Sequence, residues 1–355
     1  MTTGDAAAAR DAAADGAPLD APAPTHLVAY VSGNAPSIGW YDVDLATGAL
    51  TSRGQVATFA PNPSFLAMTP THLYAASESG NKIGAYRIDP ASGALTFINE
   101  ASSGGTGPAH VSVDRTGAYV LAANYGNGAI AVLPVMAGGG VGAPSTSINA
   151  GANAHQILTD AANKFVFVPC KGANHVAQYT FSAGALAANS PPTVPAAAGA
   201  GPRHLAFAPS GAFAYLINEN LSTLTVFAYA AATGRLTEVQ TVSNRAAGAT
   251  GNNTGAEVAV HPSGKFVYAS NRGDNTVSVF AIGGDGKVSL VGHTPTGTTP
   301  RSFAIDPTGA WMLVANQGAG TVTTYAIDAT TGALTATGAS VNATNPSFVG
   351  FVSLP

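Results

Sequence analysis

Cysteine is almost missing from this chain: Cys170 stands alone in 355 residues, so no intramolecular disulfide framework can hold the fold. Charge is scarce as well, at 9% of residues, and the net charge of −4 gives no basic footprint for nucleic acid. No apolar run reaches 18 residues. The richest stretch, 118–136, is interrupted by Asn124, Gly126, Asn127, Gly128 and Pro134, so it reads as strands and turns and no membrane span is expected. Helical periodicity is absent. Large apolar side chains are nearly lacking from residues 1–24, an Ala/Asp/Pro/Gly segment that cannot bury enough surface to offset its ordering entropy. That segment is expected to be disordered, and it has no apolar core of a signal peptide. A cytoplasmic location is expected ahead of an exported or lipid-anchored one with its signal absent from this chain.

What remains, residues 25–355, reads as one domain built from a repeated sentence. Each copy holds a short apolar strand, a Pro/Gly turn, a second strand ending near Asn-x-Gly, then two more strands. The turns DRTG (114–117), APSG (208–211), HPSG (261–264) and DPTG (306–309) are four instances. The endings AANYG (122–126), ASNRG (269–273) and VANQG (314–318) match one another. Aligned on Arg203, copies begin at Ser64, Ala109, His155, Arg203, Ala256, Arg301 and Ser347, with spacings of 45, 46, 48, 53, 45 and 46 residues. Four strands per period of about 45 residues is the signature of a β-propeller. The fold expected is therefore all-β, with seven four-stranded blades. Residues 26–56 lack the first strand of a blade, and NPSF at 345–348 repeats the blade opening at 62–65. The C-terminal strand should complete the first blade and close the ring, removing exposed strand edges.

In such a ring the inner two strands of every blade meet at one channel mouth. In the copy at 201–220, an antiparallel pair brings Arg203 and His204 to the same edge as Asn218 and Glu219. The next position after the Arg203 row holds Phe65, His110, Gln156, His204, Glu257, Ser302 and Phe348. The Glu219 row holds Ser79, Tyr125, Lys171, Glu219, Arg272 and Gln317. Three of the nine arginines (Arg203, Arg272, Arg301) fall in these rows. Guanidinium groups suit carboxylate or phosphate and stabilise a developing oxyanion. Glu219, Glu257 and the imidazoles of His110, His155 and His204 could move protons. With no evident nucleophilic Ser or Cys, the set suits lactone or ester opening by water, and equally ring closure onto a double bond. A structural reading stands beside each: Arg203 with Glu219 as a bracing ion pair, His110 and His204 as links between blades, the Asn row (Asn124, Asn218, Asn271, Asn316) as strand-end caps, and Cys170 as an inert small residue.

From about residue 26 onward the chain resembles the seven-bladed propeller lactonase family, which contains bacterial 6-phosphogluconolactonases and the fungal 3-carboxy-cis,cis-muconate lactonizing enzyme. The resemblance lies in GPAHVSVDRTGAYVLAANYGNG (107–128), GPRHLAFAPSGAFAYLINE (201–219), GAEVAVHPSGKFVYASNRG (255–273) and PRSFAIDPTGAWMLVANQ (300–317). It implies a metal-independent, cofactor-free site in which His155, Arg203, Glu219 and Arg272 are catalytic. His110, His204, Glu257, Arg301 and Lys171 are then candidates for substrate binding. The implied reaction is hydrolysis of an anionic sugar lactone of the 6-phosphogluconolactone type, with water activated by a carboxylate, and Glu219 in that role. A muconate-type cycloisomerase and a non-enzymatic ligand- or protein-binding propeller are the alternatives. The expected partner is a small anionic lactone or carboxylate, with the protein a monomer or weak homo-oligomer. Two departures bear on substrate: Asn153 stands where the family commonly has a histidine before AHQ. In PCKG (169–172), Cys170 and Lys171 replace the usual Asp-Leu, removing a carboxylate and adding a cation.

Overall fold

The structure, a computed structural model, describes residues 26–354; the N-terminal segment 1–24 lies outside the described residues. Seven four-stranded antiparallel sheets are arranged as blades, and the described residues contain no helix. No helix long and apolar enough to cross a membrane is therefore present among them. We number the blades by their innermost strands. These are Pro346–Leu354 in the first, Pro63–Met68 in the second and Pro108–Val113 in the third. Leu158–Thr159, Pro202–Phe207, Gly255–Val260 and Pro300–Ile305 open the fourth to the seventh. Closure is as expected: Pro346–Leu354 pairs antiparallel with His26–Gly33, from His26 opposite Leu354 to Gly33 opposite Pro346. The innermost strand of the first blade thus comes from the far end of the chain, and all seven blades have four strands.

Alternation of side chains explains why the inner strands read as continuous apolar runs: both faces of each blade pack on neighbouring blades, so both sets are buried. A contact that recurs at six of the seven seams uses an outer turn with a glycine. The first residue of the second strand covers the turn glycine of the next blade, as Tyr119 covers Gly184, Phe266 covers Gly332 and Trp311 covers Gly48. Gly332 has φ +74°, and a Cβ there would lie 2.5 Å from the Phe266 ring, so the position needs glycine twice over. Tyrosine hydroxyls reinforce these seams: Tyr30 donates to Gly93 O at 2.6 Å and Tyr268 to Gly332 O at 2.9 Å.

One irregularity shapes the channel mouth where the candidate residues lie. In the fifth blade Pro202 pairs with Asn218 and His204 with Ile217, so Arg203 is an extra residue in the inner strand. The same one-residue bulge recurs between Pro63 and Phe65, Pro108 and His110, Gly255 and Val258, and Pro300 and Ser302. Ordinary alternation would send two consecutive residues to opposite faces. A bulge breaks the alternation and re-aims side chains, so adjacent residues such as Arg203 and His204 can both turn toward the channel.

Candidate functional site

The bulge residues converge on one lining; of the second-strand ends Glu78 reaches it, while Glu219, Arg272 and Lys171 lie outside it. Ser64, Phe65, Glu78, Ala109, His155, Arg203, His204, Glu257, Arg301 and Ser347 line one small cavity, with about 10 Å³ of space. A larger cleft of about 450 Å³ lies between the first and seventh blades, lined by neutral groups such as Ser32, Gln55, Asn342 and Tyr41. Size favours the cleft, but acid–base and anion-binding groups are gathered only at the small cavity, and chemistry decides.

The Glu219 row needs a correction. The second-strand ends donate their next backbone N–H to the preceding loop in register: Glu219 to Gly201 O, Tyr125 to Gly107 O, Lys171 to Asn153 O, Arg272 to Thr254 O, Gln317 to Thr299 O. In the second blade the residue that does so is Glu78, bonded to Asn62 O. Ser79 is one position too far. The ending ASESG carries one residue more before its glycine than AANYG, and aligning on that glycine slips the register. Aligning on the strand end, Ser77 with Asn124, would have found Glu78 in the sequence.

Glu219 is clamped by three cations from three blades. Lys171 Nζ donates to its Oε1 at 2.6 Å, Arg272 Nη2 approaches Oε1 at 2.9 Å, and Arg203 Nε stands 3.1 Å from Oε2. The last is a charge contact without hydrogen-bond alignment, since Arg203 Nε has no hydrogen-bond partner. Burial works to raise the Glu219 pKa, yet Arg203, Arg272 and Lys171 together hold it down to about 2. Arg203 itself is braced by Nη1 donating to Ala256 O at 2.7 Å, and Arg272 Nη2 donates to Gly255 O at 3.3 Å. Burial and the like charges of Arg272 and Arg301 depress the Arg203 pKa to about 9, which still leaves it cationic at neutral pH.

A second charged unit sits beside the first. His204 Nδ1 lies 2.7 Å from Glu257 Oε1, both nearly excluded from solvent. Glu257 is fixed by its own N–H donating to Ser270 Oγ at 3.0 Å and by Val258 N–H donating to Oε1 at 3.2 Å. Burial opposes ionisation of Glu257, but His204, Arg203 and the Val258 N–H keep its pKa below the usual value. Burial pushes His204 below its usual value and His155 well below it, the latter with help from Arg203, His204, Arg301 and Arg272; both imidazoles are neutral at pH 7.

Rings form an aromatic cluster across the channel. His204 lies 5.0 Å from His155, 5.6 Å from His110 and 5.7 Å from Phe65, and Phe65 in turn packs 4.6 Å from Phe348. His110 lies tilted against Phe65 at 4.2 Å, and its Nδ1 accepts from Ile157 N–H at 3.5 Å; it is absent from the cavity lining. Cys170 is buried, its thiol pushed up to about 12 by burial. The Asn row does join neighbouring elements: Asn124 Nδ2 donates to Ser103 O, and Asn271 Nδ2 to Asn244 O and Ser278 Oγ. Arg301 differs from Arg203 and Arg272. Among the described residues it has no hydrogen bond or ion pair, although it lines the cavity and feels Glu78, Glu219 and Glu257. Ser64 Oγ, His155 Nδ1 and His204 Nε2 are likewise buried without partners. Among the described residues no group of three or more His, Cys, Asp or Glu side chains could hold a metal ion.

Comparison with known proteins places this chain in a family. The profile of the seven-bladed β-propeller lactonases matches residues 25–351. The 6-phosphogluconolactonase of Pectobacterium carotovorum subsp. carotovorum is 35% identical over 195 residues, which are 54% of this chain and 59% of that protein. That stretch spans less than two thirds of the relative's length. The 6-phosphogluconolactonase of Sodalis glossinidius is 32% identical over 226 residues, covering 63% of this chain and 68% of its own. Among solved structures, the periplasmic gluconolactonase PpgL of Pseudomonas aeruginosa superposes with a TM-score of 0.87 at 30% identity, covering 93% of this chain and 100% of that one. The chain belongs to the lactonase family of seven-bladed β-propellers.

Proposed function

We propose that this chain opens the lactone of a sugar acid that carries an anionic group, 6-phosphogluconolactone being the type compound. The observation that carries the reading is Arg301: a guanidinium lining the cavity with no anion of its own among the described residues. Desolvating a cation without a partner is costly, so such a group is a ready seat for a ligand's phosphate or carboxylate. Arg203 and Arg272, held by Glu219, are fixed donors for the oxyanion that forms when water adds to the lactone carbonyl. Lys171 adds to the positive field, which favours a phosphorylated substrate over a neutral one. Neutral His155, with an unpartnered Nδ1, suits a hydrogen bond to the substrate. Glu219 fits less well as the carboxylate that activates water, because a group with a pKa of about 2 is a weak base at pH 7. Its support is for holding three cations in place.

The test is turnover of 6-phosphoglucono-δ-lactone against glucono-δ-lactone, with and without EDTA, by wild type and Arg301→Gln. Expected are EDTA-insensitive hydrolysis, competitive inhibition by 6-phosphogluconate, and a preference for the phosphorylated lactone that Arg301→Gln erases. Hydrolysis abolished by EDTA would overturn the metal-independent site. Turnover of 3-carboxy-cis,cis-muconate in place of every lactone would replace the hydrolase by a cycloisomerase.

A further inference from the structure

We propose that His204 and Glu257 form the proton-transfer dyad of this site, with His204 Nε2 as the base that activates water and Glu257 as its positioning residue. The inference rests on the lactone-hydrolase reading above and assigns its water-activating group. Three observations carry it. The hydrogen bond at 2.7 Å from His204 Nδ1 to the Glu257 carboxylate fixes one tautomer, with the proton on Nδ1 and a lone pair on Nε2. Nε2 is buried and has no hydrogen-bond partner among the described residues, so that lone pair is unspent. His204 and Glu257 both line the cavity, whose space of about 10 Å³ is close to what one water molecule needs.

The groups around the imidazole agree with the role. Arg203 and Arg301 oppose an imidazolium, while Glu257 favours it, and His110 and His155 bring neutral rings to its edges. A carboxylate behind an imidazole that is neutral at rest stabilises the imidazolium only when the proton arrives, as a general base requires. Glu219, neutralised by three cations, has no such reserve.

Water oxygen bonds to the lactone carbonyl carbon as one water proton passes to His204 Nε2, and the carbonyl oxygen becomes an oxyanion facing the guanidinium groups. The bond from that carbon to the ring oxygen then breaks. Nε2 returns its proton to the departing oxygen, giving the hydroxy acid, which ionises in solvent.

The experiment compares wild type, His204→Gln and Glu257→Gln across pH, beside ¹⁵N NMR of imidazole-labelled protein. His204→Gln should lower kcat about 10²–10⁴-fold, with KM little changed. Glu257→Gln should lower kcat and move the acid limb of kcat/KM to lower pH, because the imidazole loses the carboxylate that raises its basicity. A residue that only packs would leave that limb in place. In wild type at pH 7.5, His204 should show a protonated Nδ1 and a bare Nε2. A proton on Nε2 overturns the dyad whatever the substrate, and so does wild-type kcat in a folded His204→Gln. If His204→Gln does not fold, the Glu257→Gln profile and the tautomer decide. Wild type that opens no lactone overturns the hydrolase reading and its water step together; wild type that does, with an unmoved acid limb in Glu257→Gln, overturns the dyad alone.

Discussion

Arg203 Nε stands 3.1 Å from Glu219 Oε2 while its Nη1 donates to Ala256 O at 2.7 Å, so one guanidinium ties the fifth blade's inner hairpin to the sixth blade. Removing the carboxylate therefore strips three cations of their common partner. Glu219→Gln should cost about 3–5 kcal/mol of stability at pH 7, the range for breaking a buried ion pair. Under the proposed role of Arg203 and Arg272 as oxyanion donors, activity should fall as well. Chemical denaturation at fixed pH checks the first part, and an unchanged midpoint would show that the cluster is solvent-screened.

The pH dependence of stability follows from the same cluster. Glu219 has a folded pKa of about 2 against an ordinary 4.5, so its contribution, about 3 kcal/mol, is complete above pH 4.5 and is lost as pH falls toward 2. His110, His155 and His204 are buried neutral with pKa values below 6.5, so the unfolded chain takes up protons first. Stability should begin to fall below pH 6.5, before any carboxylate titrates. Tm measured from pH 8 to 3 should therefore decline in two stages, with the gap between wild type and Glu219→Gln narrowing only in the lower one.

Arg301 can be separated from the clamped arginines by substrate charge. A charge-assisted hydrogen bond contributes about 1.5–3 kcal/mol, so Arg301→Gln should raise KM for the phosphorylated lactone about 10–100-fold. Glucono-δ-lactone should be barely affected. Equal losses on both substrates would move Arg301 from anion recognition to the chemistry.

Ring closure is tested by deleting residues 345–355. The strand Pro346–Leu354 is buried along nearly its whole length and completes the first blade. Its loss should abolish a single cooperative melt and promote association through the exposed edge of His26–Gly33. A truncated chain that melts like wild type would mean closure contributes nothing.

Glycine at the blade seams is tested with a paired control. Gly332 (φ +74°) and Gly211 (φ +67°) both strain any side chain, but only Gly332 faces a ring, while a Cβ at Gly211 meets nothing within 4 Å. Gly332→Ala should cost more than Gly211→Ala by about 1–3 kcal/mol, the overpacking term alone. Equal losses would mean the Phe266 ring yields freely.

The ring itself was open to sequence reading because its period is set by turns, and turns have strict residue requirements: DPTG and TGAL repeat since φ > 0 and tight approach leave glycine no substitute. Convergence of Arg203, Glu219 and Arg272 followed from the same register. Glu78 was hidden by a single extra residue before Gly80, which spacing cannot distinguish from a true offset. The clamp on Glu219 was hidden for another reason. Which cation pairs with which carboxylate depends on side-chain reach between blades about 48 residues apart, and the separation of Arg301 from every partner is a property of three-dimensional packing alone.

The recurrent bulge has an evolutionary consequence. Because the extra residue lies outside the hydrogen-bonded ladder, each bulged blade offers one position, such as Arg203 or Arg301, whose side chain can be exchanged without disturbing strand pairing. The scaffold thus resembles a combination lock with one dial per bulged blade. New substrates can be reached by turning dials singly, with the cost to folding confined to whichever dial carries a buried charge.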